Sequence, residues 1–91
     1  MKVTIRYFAS VREAVGTSLD TVELPPNSNL ENLFTHLRDL RPRLWNLVLE
    51  DRKDGMGRRL VLLLDGMRVD ALDTEIRDGS QLVIMPPVAG G

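Results

Sequence analysis

Residues 28–42, Ser28-Asn29-Leu30-Glu31-Asn32-Leu33-Phe34-Thr35-His36-Leu37-Arg38-Asp39-Leu40-Arg41-Pro42, decide how the rest of the chain is organised. Leu30, Leu33, Phe34, Leu37 and Leu40 recur at steps of three and four, which places them on one apolar stripe of a helix. Ser28 and Glu31 have the spacing of a capping box, in which each side chain satisfies a free backbone donor at the helix start. Pro42 ends the pattern, because the residue before a proline is pushed out of the helical region. An amphipathic helix must bury its stripe against another element, and the flanking sequence supplies strands rather than further helices.

On the amino-terminal side, Lys2 to Phe8 alternates, with Val3, Ile5 and Tyr7 on one face and Thr4, Arg6 and Phe8 on the other. That period of two, with β-branched and aromatic residues, reads as a half-buried strand. Ala9 to Gly16 reads as a connection, and Leu19 to Leu24 as a second strand ended by Pro25-Pro26. On the carboxyl-terminal side, Leu44 to Leu49 reads as one or two helical turns carrying Trp45, and Glu50 to Arg59 as a charged loop. Leu60 to Leu64 reads as a buried central strand. Asp65-Gly66 is a tight-turn signal before a brief strand at Met67 to Val69, and Asp78-Gly79 marks a turn before the last strand, Gln81 to Met85. The order β-β-α-β-(β)-β makes a two-layer α+β domain over residues 1–85, with 86–91 as a flexible, extended tail.

Composition removes most chemistry from this chain. Its 91 residues hold no cysteine, which excludes a disulfide scaffold, a thiolate metal site and a cysteine nucleophile. A single histidine, His36, lacks a partner for metal binding or for most nucleophile–base pairs, and reads as a surface residue. A net charge of −1 gives no field for nucleic acid or acidic lipid. Arg41, Arg43, Arg52, Lys53, Arg58 and Arg59 are interleaved with Glu50, Asp51 and Asp54, which reads as a solvated charged segment. Gly55-Met56-Gly57 lacks the third glycine and the following helix of a dinucleotide fingerprint. The longest apolar run, Leu60 to Leu64, is far short of the roughly 20 residues of a membrane span, so a cytoplasmic location is expected.

The last six residues of the sequence are Pro86-Pro87-Val88-Ala89-Gly90-Gly91. Two prolines end strand pairing and hold an extended path, and the residues beyond them are small. Six extended residues reach about 20 Å. The expected result is a carboxylate on a thin stalk that a partner's channel can accept. At its base, strand alternation places Phe8, Val83 and Met85 on the open sheet face beside Pro87, as a candidate apolar docking patch.

The sequence resembles the ubiquitin-like sulfur carriers, and most closely the small subunit of molybdopterin synthase (the MoaD family). The residues that carry the resemblance are Tyr7-Phe8-Ala9-Ser10-Val11-Arg12-Glu13-Ala14-Val15-Gly16 and Met85-Pro86-Pro87-Val88-Ala89-Gly90-Gly91. Departures are Asp65-Gly66 in place of an Asn-Gly turn, Ser80 where an aspartate is frequent, and Met85 at a position that is commonly aromatic. The resemblance implies a β-grasp fold, a mixed four- to five-stranded sheet with one main helix on one face. It also implies that a ubiquitin-activating-type (MoeB-like) adenylyltransferase uses ATP and magnesium to adenylate Gly91, while this chain binds no cofactor or metal. Sulfur from a cysteine desulfurase then makes a thiocarboxylate, which a MoaE-like large synthase subunit uses on the pterin precursor. Gly90, Ala89, Val88, Pro87 and Pro86 would thread into each partner, and the chain would be a cosubstrate without a catalytic residue of its own. Other roles compatible with the same tail are modification of protein lysines through Gly91, and sulfur supply for thiamine or tRNA thiolation. A non-covalent binding module is a further alternative.

Overall fold

The computed structural model describes residues 1–53 and 60–87, with side chains described up to Val48 and again from Leu60. Its elements in chain order are β1 (Lys2–Tyr7), α1 (Ala9–Val15), β2 (Leu19–Glu23), α2 (Leu30–Leu40), α3 (Pro42–Lys53), β3 (Val61–Leu64), β4 (Met67–Arg68) and β5 (Gln81–Met85). The strands form one sheet in the order β2-β1-β5-β3-β4. β1 and β5 are parallel, whereas every other pair is antiparallel. The sheet is therefore mixed, and the first and last strands lie side by side at its middle. Because they run the same way, Phe8 and Pro86 leave the sheet at the same margin.

The core forms where strand alternation meets the helical stripe. Val3, Ile5, Tyr7, Val22, Leu62, Leu64, Leu82 and Ile84 face Leu30, Leu33, Phe34 and Leu37 of α2, with Leu44 and Val48 of α3 and Val11 of α1 completing the layer. Each large aliphatic side chain buried there contributes about 1.5–3 kcal/mol. Leu40, the last member of the expected stripe, is exposed where the chain turns into α3.

α2 starts one residue later than the S-x-x-E spacing suggests. Asn29 is the N-cap, and its side chain accepts from the Asn32 backbone N–H at 2.9 Å. The Asn32 side chain accepts in return from the Asn29 N–H at 2.9 Å, which closes the box. The two other free donors of the first turn, the N–H groups of Leu30 and Glu31, bond to the carbonyls of Thr74 and Leu72. Ser28 serves the preceding turn instead: its buried hydroxyl donates to the Pro25 carbonyl at 2.7 Å. Replacing Asn29 by alanine is expected to cost about 1 kcal/mol. Replacing Glu31, whose side chain caps nothing, should leave the melting temperature nearly unchanged. Thermal unfolding of the two variants checks this directly.

Three further expectations are corrected. Residues 9–16 are not a plain connection: α1 occupies Ala9–Val15 and is closed by Gly16 in the left-handed region, its N–H on the Arg12 carbonyl. A single buried residue, Val11, anchors these two turns, too little to leave a periodic signal. The short helix at Leu44–Leu49 is longer at both ends, since Pro42 both ends α2 and begins α3, as a proline can at a first helical position. The charged segment from Glu50 is consequently helical as far as Lys53. Finally, β3 is not buried on both faces: Leu62 and Leu64 point into the core, while Val61 and Leu63 are half-buried on the open side. β5, not β3, holds the middle of the sheet.

The turns follow their residue types. Asp65 and Gly66 both have positive φ, 50° and 86°, the backbone of a tight hairpin joining β3 to β4. The Asp65 carboxylate accepts from the Ser80 hydroxyl and from the Gln81 N–H, each at 2.9 Å, and so ties this hairpin to the start of β5. Ser80 is thus a buried polar residue with its hydroxyl satisfied at the hairpin. Among the described residues, no helix is long and apolar enough to cross a membrane.

Candidate functional site

The candidate site is the open face of the sheet near the margin where β1 and β5 end. Register fixes its layout. One row across the sheet runs Leu19, Arg6, Val83, Leu63, Arg68, from β2 through β1, β5 and β3 to β4. The next row toward the tail contains Met85 opposite Val61. Phe8 extends this row on the β1 side, because its backbone is still extended (φ −125°, ψ 152°) and its N–H donates to the Ile84 carbonyl at 3.1 Å. Ala9 then enters the left-handed region at φ 52° and turns the chain into α1. Phe8 is 43% exposed, and Val61, Leu63, Val83 and Met85 are half-buried.

Phe8, Val83 and Met85, the residues expected at a docking patch, are thus brought onto one face. Val61 and Leu63 join them but were hidden in the sequence by the unbroken run from Leu60 to Leu64. Pro86 and Pro87 follow directly, half-buried and exposed respectively, and carry the chain away from the ladder. Val88, Ala89, Gly90 and Gly91 lie outside the described residues, as do Asp54-Gly55, the Gly55-Met56-Gly57 stretch, Arg58 and Arg59.

Behind this margin, on the helix side, a polar cluster fixes the end of β1. The Tyr7 hydroxyl donates to Asp20 Oδ2 at 2.8 Å. Arg41 donates through Nε to the same oxygen at 2.9 Å and through Nη2 to Oδ1 at 2.7 Å, a bidentate pair joining β2 to the end of α2. The Arg41 hydrogen bonds hold the Asp20 carboxyl below the usual carboxylate range, against the opposing effect of burial. Burial, reinforced by the bond to Asp20, pushes the Tyr7 hydroxyl well above its ordinary value. Arg41 is therefore a structural cation and not one of a solvated run. His36 is exposed on α2, as expected of a surface residue.

The chemistry such a site supports is presentation. An open groove of ≈ 700 Å³ does exist, lined by Met1, Lys2, Glu23, Asn27, Glu75 and Asp78 among others, but it lies at the opposite end of β1. The tail margin itself combines an apolar surface, a rigid proline exit and a braced strand end.

Comparison with known proteins agrees with this architecture. Residues 5–91 match the ThiS family. The molybdopterin synthase sulfur carrier subunit of Mycobacterium tuberculosis is 32% identical over 92 residues, covering 100% of this chain and 99% of that protein. Among solved structures, SAMP1 of Haloferax volcanii, a small archaeal modifier protein, superposes with a TM-score of 0.77 at 24% identity, covering 100% of both chains. A chain from the complex of subunits 1 and 2 of the molybdopterin-converting factor of Helicobacter pylori superposes at 0.64 with 22% identity, again over 100% of both chains. These likenesses settle the fold as a ubiquitin-like β-grasp. With the match extending over nearly the whole sequence, the chain is a member of the ThiS family of small sulfur carriers, whose curated relatives include molybdopterin synthase sulfur carrier subunits.

Proposed function

We propose that this chain carries sulfur as a thiocarboxylate at Gly91 and delivers it, as a molybdopterin synthase small subunit, to the pterin precursor. The observation that carries the reading is where the described chain leaves the sheet. In a member of this family, Pro86 and Pro87 follow β5 directly at the strand margin beside Phe8 and Met85, ahead of Val88-Ala89-Gly90-Gly91 in the sequence. A partner that grips the open face would then receive the tail in one direction.

The chemistry begins with a carboxylate, a poor acyl donor. An adenylyltransferase with ATP and magnesium forms the Gly91 acyl adenylate and releases pyrophosphate. The terminal sulfur of a protein persulfide attacks the carbonyl, and the C–O bond to AMP breaks, leaving an acyl disulfide in which Gly91 is joined through two sulfurs to the donor. A second thiolate attacks the outer sulfur, breaks the S–S bond and leaves as a disulfide, so that Gly91 retains the thiocarboxylate. This chain's contribution is proximity: the sheet sets where the tail starts, and the glycines put no side chain beside the reacting carbonyl. The large subunit supplies the pocket and the proton transfers.

Reconstitution tests the assignment. The thiocarboxylated chain, mixed with the large synthase subunit and the pterin precursor, should form molybdopterin stoichiometrically with the carrier consumed. Formation of the dithiolene without this chain's sulfur would contradict the reading. Gly91–lysine conjugates in place of sulfur transfer would support protein modification, and a requirement only in thiamine or tRNA thiolation would move the chain to another sulfur pathway.

A further inference from the structure

Arg6 stands at the flank of the apolar rows, and its environment is unusual for a charge in that position. It lies directly between Leu19 and Val83 in the sheet register. The side chain is exposed, and its Nε donates to Gln81 Oε1 at 3.3 Å. That bond directs the guanidinium along β5 and leaves the terminal Nη pair as the open edge of the fork. Among the described residues, no carboxylate forms an ion pair with it. Asp20, the acid nearest in register on β2, points to the other face and is already held by Arg41 and Tyr7. At the far end of the same row, Arg68 is supplied with Asp70 at 3.8 Å.

From this arrangement we infer that Arg6 is a partner-selecting residue, which takes a carboxylate from the protein that covers the open face, the adenylyltransferase that activates Gly91. The inference rests on the proposed activation of Gly91, but not on which sulfur pathway follows. A protein seated on Val83, Leu63, Met85 and Phe8 takes Arg6 out of water at the same time. Removing a guanidinium from water without a partner is unfavourable, so a covering surface that lacks an acid is rejected while one that presents an acid is retained. The planar fork then sets orientation as well as charge, since its two terminal nitrogens match the two oxygens of a carboxylate. The tail begins at Pro86, three residues after Val83 on the neighbouring strand, so a surface fixed by Arg6 is also fixed relative to the tail exit.

The test is calorimetric binding of the purified chain to the adenylyltransferase of the same organism, at several salt concentrations. Arg6→Gln should weaken binding at least about 10-fold and reduce the salt dependence, and Arg6→Glu should weaken it further. Arg6→Lys should restore only part, because a point charge replaces a bidentate fork. Melting temperatures should stay close to that of the parent chain, given that Arg6 is exposed. Reversing the partner's contacting acid to arginine should rescue Arg6→Glu. Unchanged binding by Arg6→Gln and Arg6→Glu would overturn the inference while leaving the activation of Gly91 intact. The same substitutions in a chain lacking residues 88–91 separate a partner's acid from the chain's own terminal carboxylate. An effect that persists supports the partner's acid, and one that vanishes overturns it. Failure of the parent chain to bind at all would instead remove the proposed activation, and this inference with it.

Discussion

Deletion of Gly91 is expected to lower sulfur delivery by at least about 100-fold while leaving the melting temperature of the domain unchanged. The reacting carbonyl moves back along the stalk by roughly 3.5 Å, one extended residue. A misplacement of even about 1 Å at a reacting centre can cost on the order of 100-fold, so no compensation from the rest of the chain is expected. Stability is spared for a separate reason. The last paired strand ends at Met85, and the core is complete with Ile84. Substitution of Gly91 by alanine keeps the length but adds a methyl group beside the carbonyl, and should fall between the two. The assay is molybdopterin formation by the reconstituted synthase, with thermal unfolding measured on the same samples. A truncated chain that retained full activity would remove Gly91 from the chemistry.

Asp20→Ala is expected to have the largest effect on stability outside the apolar core. It leaves the Arg41 fork unpaired and the largely buried Tyr7 hydroxyl without an acceptor. Breaking a buried ion pair by removing one partner costs roughly 3–5 kcal/mol. The Asp20 side chain is 10% exposed but that of Arg41 is 30% exposed, so water screens part of the loss. A value of about 2–3 kcal/mol is the reasonable expectation after that discount. For a domain of this size it lowers the melting temperature by roughly 10–20 °C. Tyr7→Phe should cost less, because Arg41 still satisfies the carboxylate.

The pH dependence follows from the same cluster. Arg41 depresses the Asp20 pKa in the folded chain, so the carboxylate's contribution is fully present above the unfolded value near about 4. It is lost as pH falls through the lower folded value. The parent chain should lose stability in that acid window, and Asp20→Ala should show a flatter acid limb. At the other extreme, the raised Tyr7 pKa keeps the folded hydroxyl neutral while the unfolded chain ionises above about pH 10. Stability should therefore decline there, and decline less in Tyr7→Phe. Denaturant unfolding across the pH range distinguishes these limbs; equal slopes in parent and variants would contradict the assignment of the cluster.

Much of the architecture was legible because the decisive elements have strong periods. α2 carries a stripe of five apolar residues between polar ones, and β1 alternates cleanly, so both faces of each could be named. β5 is itself an apolar run from Leu82 to Met85, and its faces were assigned from the phase of β1. The elements that escaped are those whose signal is local or ambiguous. α1 has one buried residue in seven and starts from an alanine in the left-handed region, which no period announces. The cap moved from Ser28 to Asn29 because two adjacent residues could both serve, and tertiary bonds from Thr74 and Leu72 decided the phase. For β3, five consecutive apolar residues do not reveal that alternate side chains face opposite ways. Val61 and Leu63 were hidden by that ambiguity, and the apolar surface at the tail margin looked smaller than it is. The partnership of Arg41 with Asp20, 21 residues apart, has no sequence signature at all.

The proposed carrier holds sulfur on the carbonyl of Gly91, in a chain that contains no cysteine. Intact-mass analysis of the full chain, after incubation with its adenylyltransferase, ATP, magnesium and a persulfide donor with excess thiol, tests it most directly. The expected product is a species heavier by the replacement of one oxygen by sulfur, confined on fragmentation to Gly91 and absent from the chain lacking that residue. An unchanged mass with active adenylyltransferase present, or sulfur found on any other residue, would contradict it.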